Sequence, residues 1–140
     1  MTPINALFVD DDETTQMIAL SVLSRQGVNV LSAVNTTQAD MILHREKVDV
    51  IVLDVMMPKE DGLAYSERLH REGNKVPLLF LSALSNPETV SRGIRSGAAA
   101  YLVKPIDLQD LHQKLLSLTQ GVRPVVPPNP PPVKKRGWFS

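Results

Sequence analysis

The chain has 140 residues, 43% apolar and 21% charged, which is enough for one core and short for two domains. It contains no cysteine, so a disulfide scaffold, a thiolate metal site and a cysteine nucleophile are excluded, and a formal net charge of zero offers no global attraction to nucleic acid. No apolar run approaches the roughly 18–20 residues that cross a membrane, and the first residues lack the basic start and apolar run of a secretory signal, so a soluble cytoplasmic protein is expected.

Strand-like and helix-like segments alternate along the chain. Residues 4–9 form a short apolar run. Residues 13–26 carry Met17, Ile18, Leu20, Val22 and Leu23 broadly at helical spacing and stop at Gly27. Residues 28–34 read as a strand, and 37–47 as a helix with Ala39, Ile42 and Leu43 on one side. Residues 49–53 are apolar after the first, and 63–72 form a helix that Gly73 ends. Residues 76–81 form the fourth strand. A helix over 88–96 opens at Asn86-Pro87, where proline suits the first turn. The fifth strand covers 98–103. The last helix covers 108–118, with Leu108, Leu111, Leu115 and Leu118 on one stripe.

Five such units over about 120 residues predict a (βα)5 architecture. Strands that are apolar throughout and joined by helices require a parallel sheet covered on both faces. Five units are too few for an eight-fold barrel, so the expectation is an α/β fold with a five-stranded, doubly wound parallel sheet. The partly polar second strand suits an edge, as in the flavodoxin-like order 2-1-3-4-5.

Ligands of open α/β sheets bind beyond the carboxyl ends of the strands. The first strand ends in Asp10-Asp11-Asp12-Glu13, the third in Asp54, the fourth in Ser82 and the fifth in Lys104-Pro105. In the assumed order Asp10, Asp11 and Asp54 converge, and crowded carboxylates repel unless protonated or neutralised by a cation. Oxygen ligands alone suit a hard ion, and magnesium (Mg2+) fits best because it keeps waters and leaves places for phosphate oxygens. With the Ser82 hydroxyl and the Lys104 charge alongside, the rim is equipped for phosphoryl transfer. Asp12 and Glu13 have a plainer reading as a helix cap and a first-turn charge.

The stretches ALFVDDDE, DVIVLDVMMPKEDG, PLLFLSA and AAAYLVKP, in this order and spacing, resemble a bacterial two-component response-regulator receiver domain over residues 4–120, of the single-domain chemotaxis-regulator type in length. The resemblance implies a phosphorylation-dependent signalling switch. Asp54 would accept the phosphoryl group from a sensor histidine kinase or phosphotransfer protein. Asp10, Asp11, Asp54 and the Met56 backbone carbonyl would hold the metal. Ser82 and Lys104 would bind the phosphoryl group, Tyr101 would be the switch aromatic, and Lys104–Pro105 would be a cis peptide. Gly62 would form the tight loop beside the site. Ser82 stands where threonine is more usual, and the apolar Met56 and Leu84 predict slow self-dephosphorylation. Such a protein catalyses only its own phosphorylation and dephosphorylation, and acts either as a final output or as a relay intermediate or phosphate sink. A haloacid-dehalogenase-type phosphohydrolase would need an acid two residues after the nucleophile, where this chain has Met56.

Composition changes after residue 120. Residues 121–140 hold six of the eleven prolines and four basic residues against no acid, so this tail carries +4 and residues 1–120 carry −4. The proline stretch favours an extended polyproline II arm, distinct from the receiver domain at 1–120. It ends in Lys134, Lys135 and Arg136, then Trp138 and Phe139, a candidate docking peptide for a downstream protein target. A disordered solubilising end or linker stump, binding to an anionic membrane surface, and a return of the basic tail onto its own acidic body are the competing expectations. No output domain is expected, so signalling through protein contact and no direct nucleic-acid binding are expected.

Overall fold

The structure, a computed structural model, describes residues 3–119. The candidate docking residues Lys134, Lys135, Arg136, Trp138 and Phe139, and the arm that carries them, lie outside the described residues. The elements run β1 (Ile4–Val9), α1 (Glu13–Leu23) with a 3-10 turn at Ser24–Gln26, β2 (Val28–Ala33), α2 (Thr36–Arg45), β3 (Val50–Leu53), α3 (Gly62–Arg71), β4 (Leu78–Ser82), α4 (Pro87–Arg95), β5 (Ala100–Val103) and α5 (Leu108–Thr119). The strands form one parallel sheet in the order 2-1-3-4-5, as the sequence leads one to expect.

Caps fix where the helices begin. The side chains of Asp12, Asn35 and Asp61 accept hydrogen bonds from the backbone N–H of Thr14, Gln38 and Ala64, satisfying donors that a first turn leaves open. Asp12 therefore has the plain capping role. Gly27, at φ 84°, turns the chain from the 3-10 segment into β2, in a conformation that side-chain-bearing residues avoid.

Alternation along the strands splits the core in two. Ala6, Phe8, Val50, Val52, Leu79 and Leu81 pack on one face with Ala19 and Leu23 of α1 and Leu111 and Leu115 of α5. Leu7, Val9, Ile51, Leu53, Leu78 and Phe80 pack on the other with Ala39 of α2, Leu63, Tyr65 and Leu69 of α3, and Ala98. Every residue of β3 and β4 is buried, whereas β2 and β5 are the partly exposed edges. Each fully buried leucine or phenylalanine contributes about 1.5–3 kcal/mol from removal of apolar surface from water.

The buried face of α1 is not the one its larger apolar side chains would suggest. Its apolar residues Met17, Ile18 and Leu20 are 69%, 50% and 48% exposed, and the buried face is Gln16, Ala19 and Leu23. Gln16 lies inward because its amide nitrogen sits 3.0 Å from the Phe8 carbonyl, 3.1 Å from Asp10 and 2.9 Å from Ala33. The amide adds a donor to carbonyls near the ends of β1 and β2, of which Ala33 also accepts from the Asp10 N–H, and this buried polar role places Gln16 inward.

The candidate phosphoryl-transfer site

Register brings the acids together. Val9 of β1 pairs with Leu53 of β3, so the next residues, Asp10 and Asp54, leave the sheet side by side, and the Asp54 N–H donates to the Val9 carbonyl at 3.0 Å. Asp11 follows at once. Carboxylate oxygens of Asp10, Asp11 and Asp54 lie within 4.8 Å of one another. Asp10 is buried, Asp54 has a side chain only 12% exposed, and Asp11 is exposed.

Lys104 reaches in from the end of β5. Its Nζ stands 2.8 Å from Asp10 Oδ2 and 3.4 Å from Asp54 Oδ2. Its backbone N–H donates to the Ser82 carbonyl at 2.8 Å, which ties the ends of β4 and β5 together. Burial pushes the ammonium down, but the Asp10 hydrogen bond and the charges of Asp10 and Asp54 outweigh it and hold the lysine above its ordinary value. The Lys104–Pro105 peptide is cis. Ser82 is almost wholly buried, and its Oγ accepts from Leu84 N–H at 3.2 Å.

The Asp10 side chain is engaged twice, by Lys104 and by the Asp12 N–H at 2.9 Å. Asp11 has no hydrogen-bond partner among the described residues, so its carboxylate is free to bind a cation. Three carboxylates face one ammonium, an excess of two negative charges that one divalent cation balances. The donor set is oxygen alone and one wall is open to solvent, which fits a hard ion such as magnesium that retains waters.

Beside the acids lies a shallow cleft of about 490 Å³, lined by Asp11, Met56, Met57, Pro58 and Leu84. The loop between β3 and α3 shapes it. Gly62 opens α3 directly over Asp54, and a Cβ there would sit 2.1 Å from the Asp54 carbonyl oxygen, so only glycine allows the helix so close. Lys59, at φ 70°, holds the tip of the loop in the left-handed region. Met56 is exposed, and its N–H points at Asp54 Oδ1 at 3.4 Å.

Tyr101 lies on the opposite side of β5 from Lys104. Its ring packs 5.6 Å from Phe80 at a 36° tilt, and its hydroxyl donates to the Leu84 carbonyl at 2.7 Å. Burial raises its hydroxyl above the ordinary tyrosine value. Gly93 of α4 makes the room, since a Cβ there would lie 3.0 Å from Tyr101 and 3.1 Å from Phe80.

Sequence reasoning did not find two supports of this site. One is Gln16, whose signal is its place with Ala19 and Leu23 at helical spacing. The other is Arg68 of α3, which holds Glu60 by two hydrogen bonds of 2.9 Å and Asp40 of α2 at 3.0 Å, and lies over the Tyr65 ring at 4.9 Å. It anchors the far end of the loop that starts at Asp54. Its partners are too distant in sequence for any spacing rule to join them.

A family model, the response regulator receiver domain, matches residues 6–116. The chain is 33% identical over 129 residues to the response regulator MprA of a Mycobacterium strain, covering 92% of this chain and 56% of that protein. The chain spans about half the length of the curated relatives it matches. Among solved structures, the receiver domain of the Francisella response regulator 1452 superposes with a TM-score of 0.79 at 28% identity, covering 83% of this chain and 96% of that one. A Burkholderia pseudomallei response regulator, solved with a phosphorylated aspartic acid and a calcium ion, gives a TM-score of 0.73 at 26% identity, over 84% of this chain and 66% of that one.

Proposed function

Because the chain belongs to the response regulator receiver-domain family, we propose that it is a phosphorylation-dependent signalling switch in which Asp54 accepts a phosphoryl group from a histidine kinase or phosphotransfer protein. The carrying observation is the convergence of Asp10, Asp11 and Asp54, with Lys104 Nζ between two of them. A similar fold, the Burkholderia pseudomallei regulator, carries a phosphorylated aspartic acid together with a divalent ion.

Asp11 and Asp54, with the Met56 carbonyl, would hold magnesium directly, and Asp10 would act from beneath while bonded to Lys104. When bound, the cation offsets the repulsion between the Asp54 carboxylate and an incoming phosphoryl group. Asp54 attacks through its carboxylate oxygen, the bond from phosphorus to the donor breaks, and the donor leaves with that electron pair. Lys104 then shifts from the carboxylates toward the new phosphoryl oxygens, and Ser82 turns its hydroxyl from Leu84 N–H toward the same oxygens. Both movements disturb the segment whose Leu84 carbonyl holds Tyr101. The switched surface is then the face of α4, β5 and α5, where Arg92 and Arg95 are exposed.

Incubation of the chain with a small acyl phosphate and magnesium tests the chemistry. One added phosphoryl mass is expected, absent with a chelator and absent in Asp54→Asn. Equal labelling of Asp54→Asn would rule out the assignment.

A further inference from the structure

An apolar hollow, separate from the cleft beside the acids, runs between α1 and α5. It encloses about 480 Å³, within the range of sites that seat ligands, and is lined by Phe8, Ile18, Ala19, Leu81, Leu108 and Leu111, with Lys104–Pro105 at one end. Ile18, which lines it, is half exposed, and Met17 beside it on α1 is exposed as well. An open hollow lined by apolar side chains is a candidate interaction surface. Lys104 is the one charged residue of the lining, and exposed acids stand next to the lining residues in the sequence. Asp12 and Glu13 open the helix that carries Ile18, and Asp107 and Asp110 flank Leu108; all four are exposed.

We propose that the groove is occupied by the C-terminal segment of this same chain, with Trp138 and Phe139 in the hollow and Lys134, Lys135 and Arg136 near these acids. The chemistry matches on both counts, because the segment joins a run of three cations to the two largest apolar side chains after Thr119. The charge distribution agrees: residues 121–140 carry +4 and residues 1–120 carry −4, and the contact sets the two against each other. The reach is sufficient. Leu111 and Leu108 lie eight and eleven residues before Thr119 on the same helix, about 12–17 Å away at 1.5 Å per residue. The 18 residues between Thr119 and Trp138 span up to about 55 Å even at the polyproline II rise. A tethered segment meets its own groove at an effective concentration near millimolar, which favours it over a second copy. The docked segment covers ground beside Lys104, so a partner that approaches the acid cluster from the α1–α5 side must displace it.

Trp138 is the single tryptophan, and its emission reports the contact. The intact chain, the Ile18→Asp variant and the double variant Trp138→Ala with Phe139→Ala are compared, with circular dichroism as the check on folding; Ile18 is half exposed and tolerates the change. The parent is expected to emit to the blue of a solvated indole, unchanged on dilution, and Ile18→Asp to move it to the solvated limit. Backbone amide shifts between parent and double variant should concentrate at residues 17–20 and 106–111. The proposal is overturned by a parent spectrum already at the solvated limit, by a blue shift that survives in Ile18→Asp, or by one that vanishes on dilution, which would seat the segment on a second copy.

Discussion

At the scale of single residues, Gly62 and Lys104 make the site what it is. Gly62 has no room for a methyl group, because the obstacle is the Asp54 backbone carbonyl rather than a movable side chain. Gly62→Ala must therefore lift α3 or tilt Asp54, at a cost of about 1–3 kcal/mol in urea melts, and should slow acyl-phosphate labelling. Lys104 pairs with two of the three acids that would hold the cation, so ammonium and metal compete for the same oxygens. Lysine is a donor and never a magnesium ligand. Lys104→Ala should bind magnesium no more weakly than the parent by calorimetry, whereas Asp11→Ala should lose most of its affinity. Equal losses in both would contradict this division of labour. The acids, serine and lysine could be read from the strand ends. Gln16 could not, because glutamine on a helix is ordinarily a surface residue and its carbonyl partners exist only once two strands have paired.

At the scale of elements, two polar clamps hold the helices to the rim. Gln16 joins α1 to the ends of β1 and β2, and Gln16→Ala removes the side-chain donor that the Phe8, Asp10 and Ala33 carbonyls share, while Ala33 keeps the Asp10 N–H. A loss of about 1–3 kcal/mol is expected in denaturant unfolding, with Asp10 less firmly placed. Arg68 joins α2, α3 and the loop that follows Asp54. The hydrogen bond from Arg68 holds the Glu60 carboxyl below its ordinary 4.5, with burial opposing. A depressed carboxyl value stabilises the fold fully above the unfolded value, and the contribution is lost as pH falls through the folded one. The melting temperature of the parent should therefore fall below about pH 4.5, and Arg68→Ala should be less stable at neutral pH with a shallower fall on the acid side. An unchanged acid profile in Arg68→Ala would remove Glu60 from the account. Element positions were legible from apolar runs and glycines, but the face of α1 was not. Hydrophobicity alone does not pick out Gln16, Ala19 and Leu23 as the buried face, because Gln16 goes inward for its carbonyl partners.

At the scale of the whole molecule, the sheet order does the functional work. Placing β1 beside β3 brings residues 10 and 54 side by side, and placing β5 beside β4 brings Lys104 over Ser82. The order itself was reached by analogy, since periodicity fixes strands but not their neighbours; the polar second strand was the one internal clue. The tail contrast was plain in composition, whereas the groove that suits it emerges only when α1 and α5 pack together. For the chain to act as a switch, an event at Asp54 must be felt at Tyr101, across β5. The direct test is the amide spectrum of the intact, magnesium-loaded chain with and without a beryllofluoride mimic of an acyl phosphate, repeated in Asp54→Ala. A switch of this design shows shifts at Asp11, Asp54, Ser82 and Lys104 that extend through Leu84 to Tyr101 and α4, all absent in Asp54→Ala. Shifts confined to the acid cluster, or the same shifts in Asp54→Ala, would contradict it.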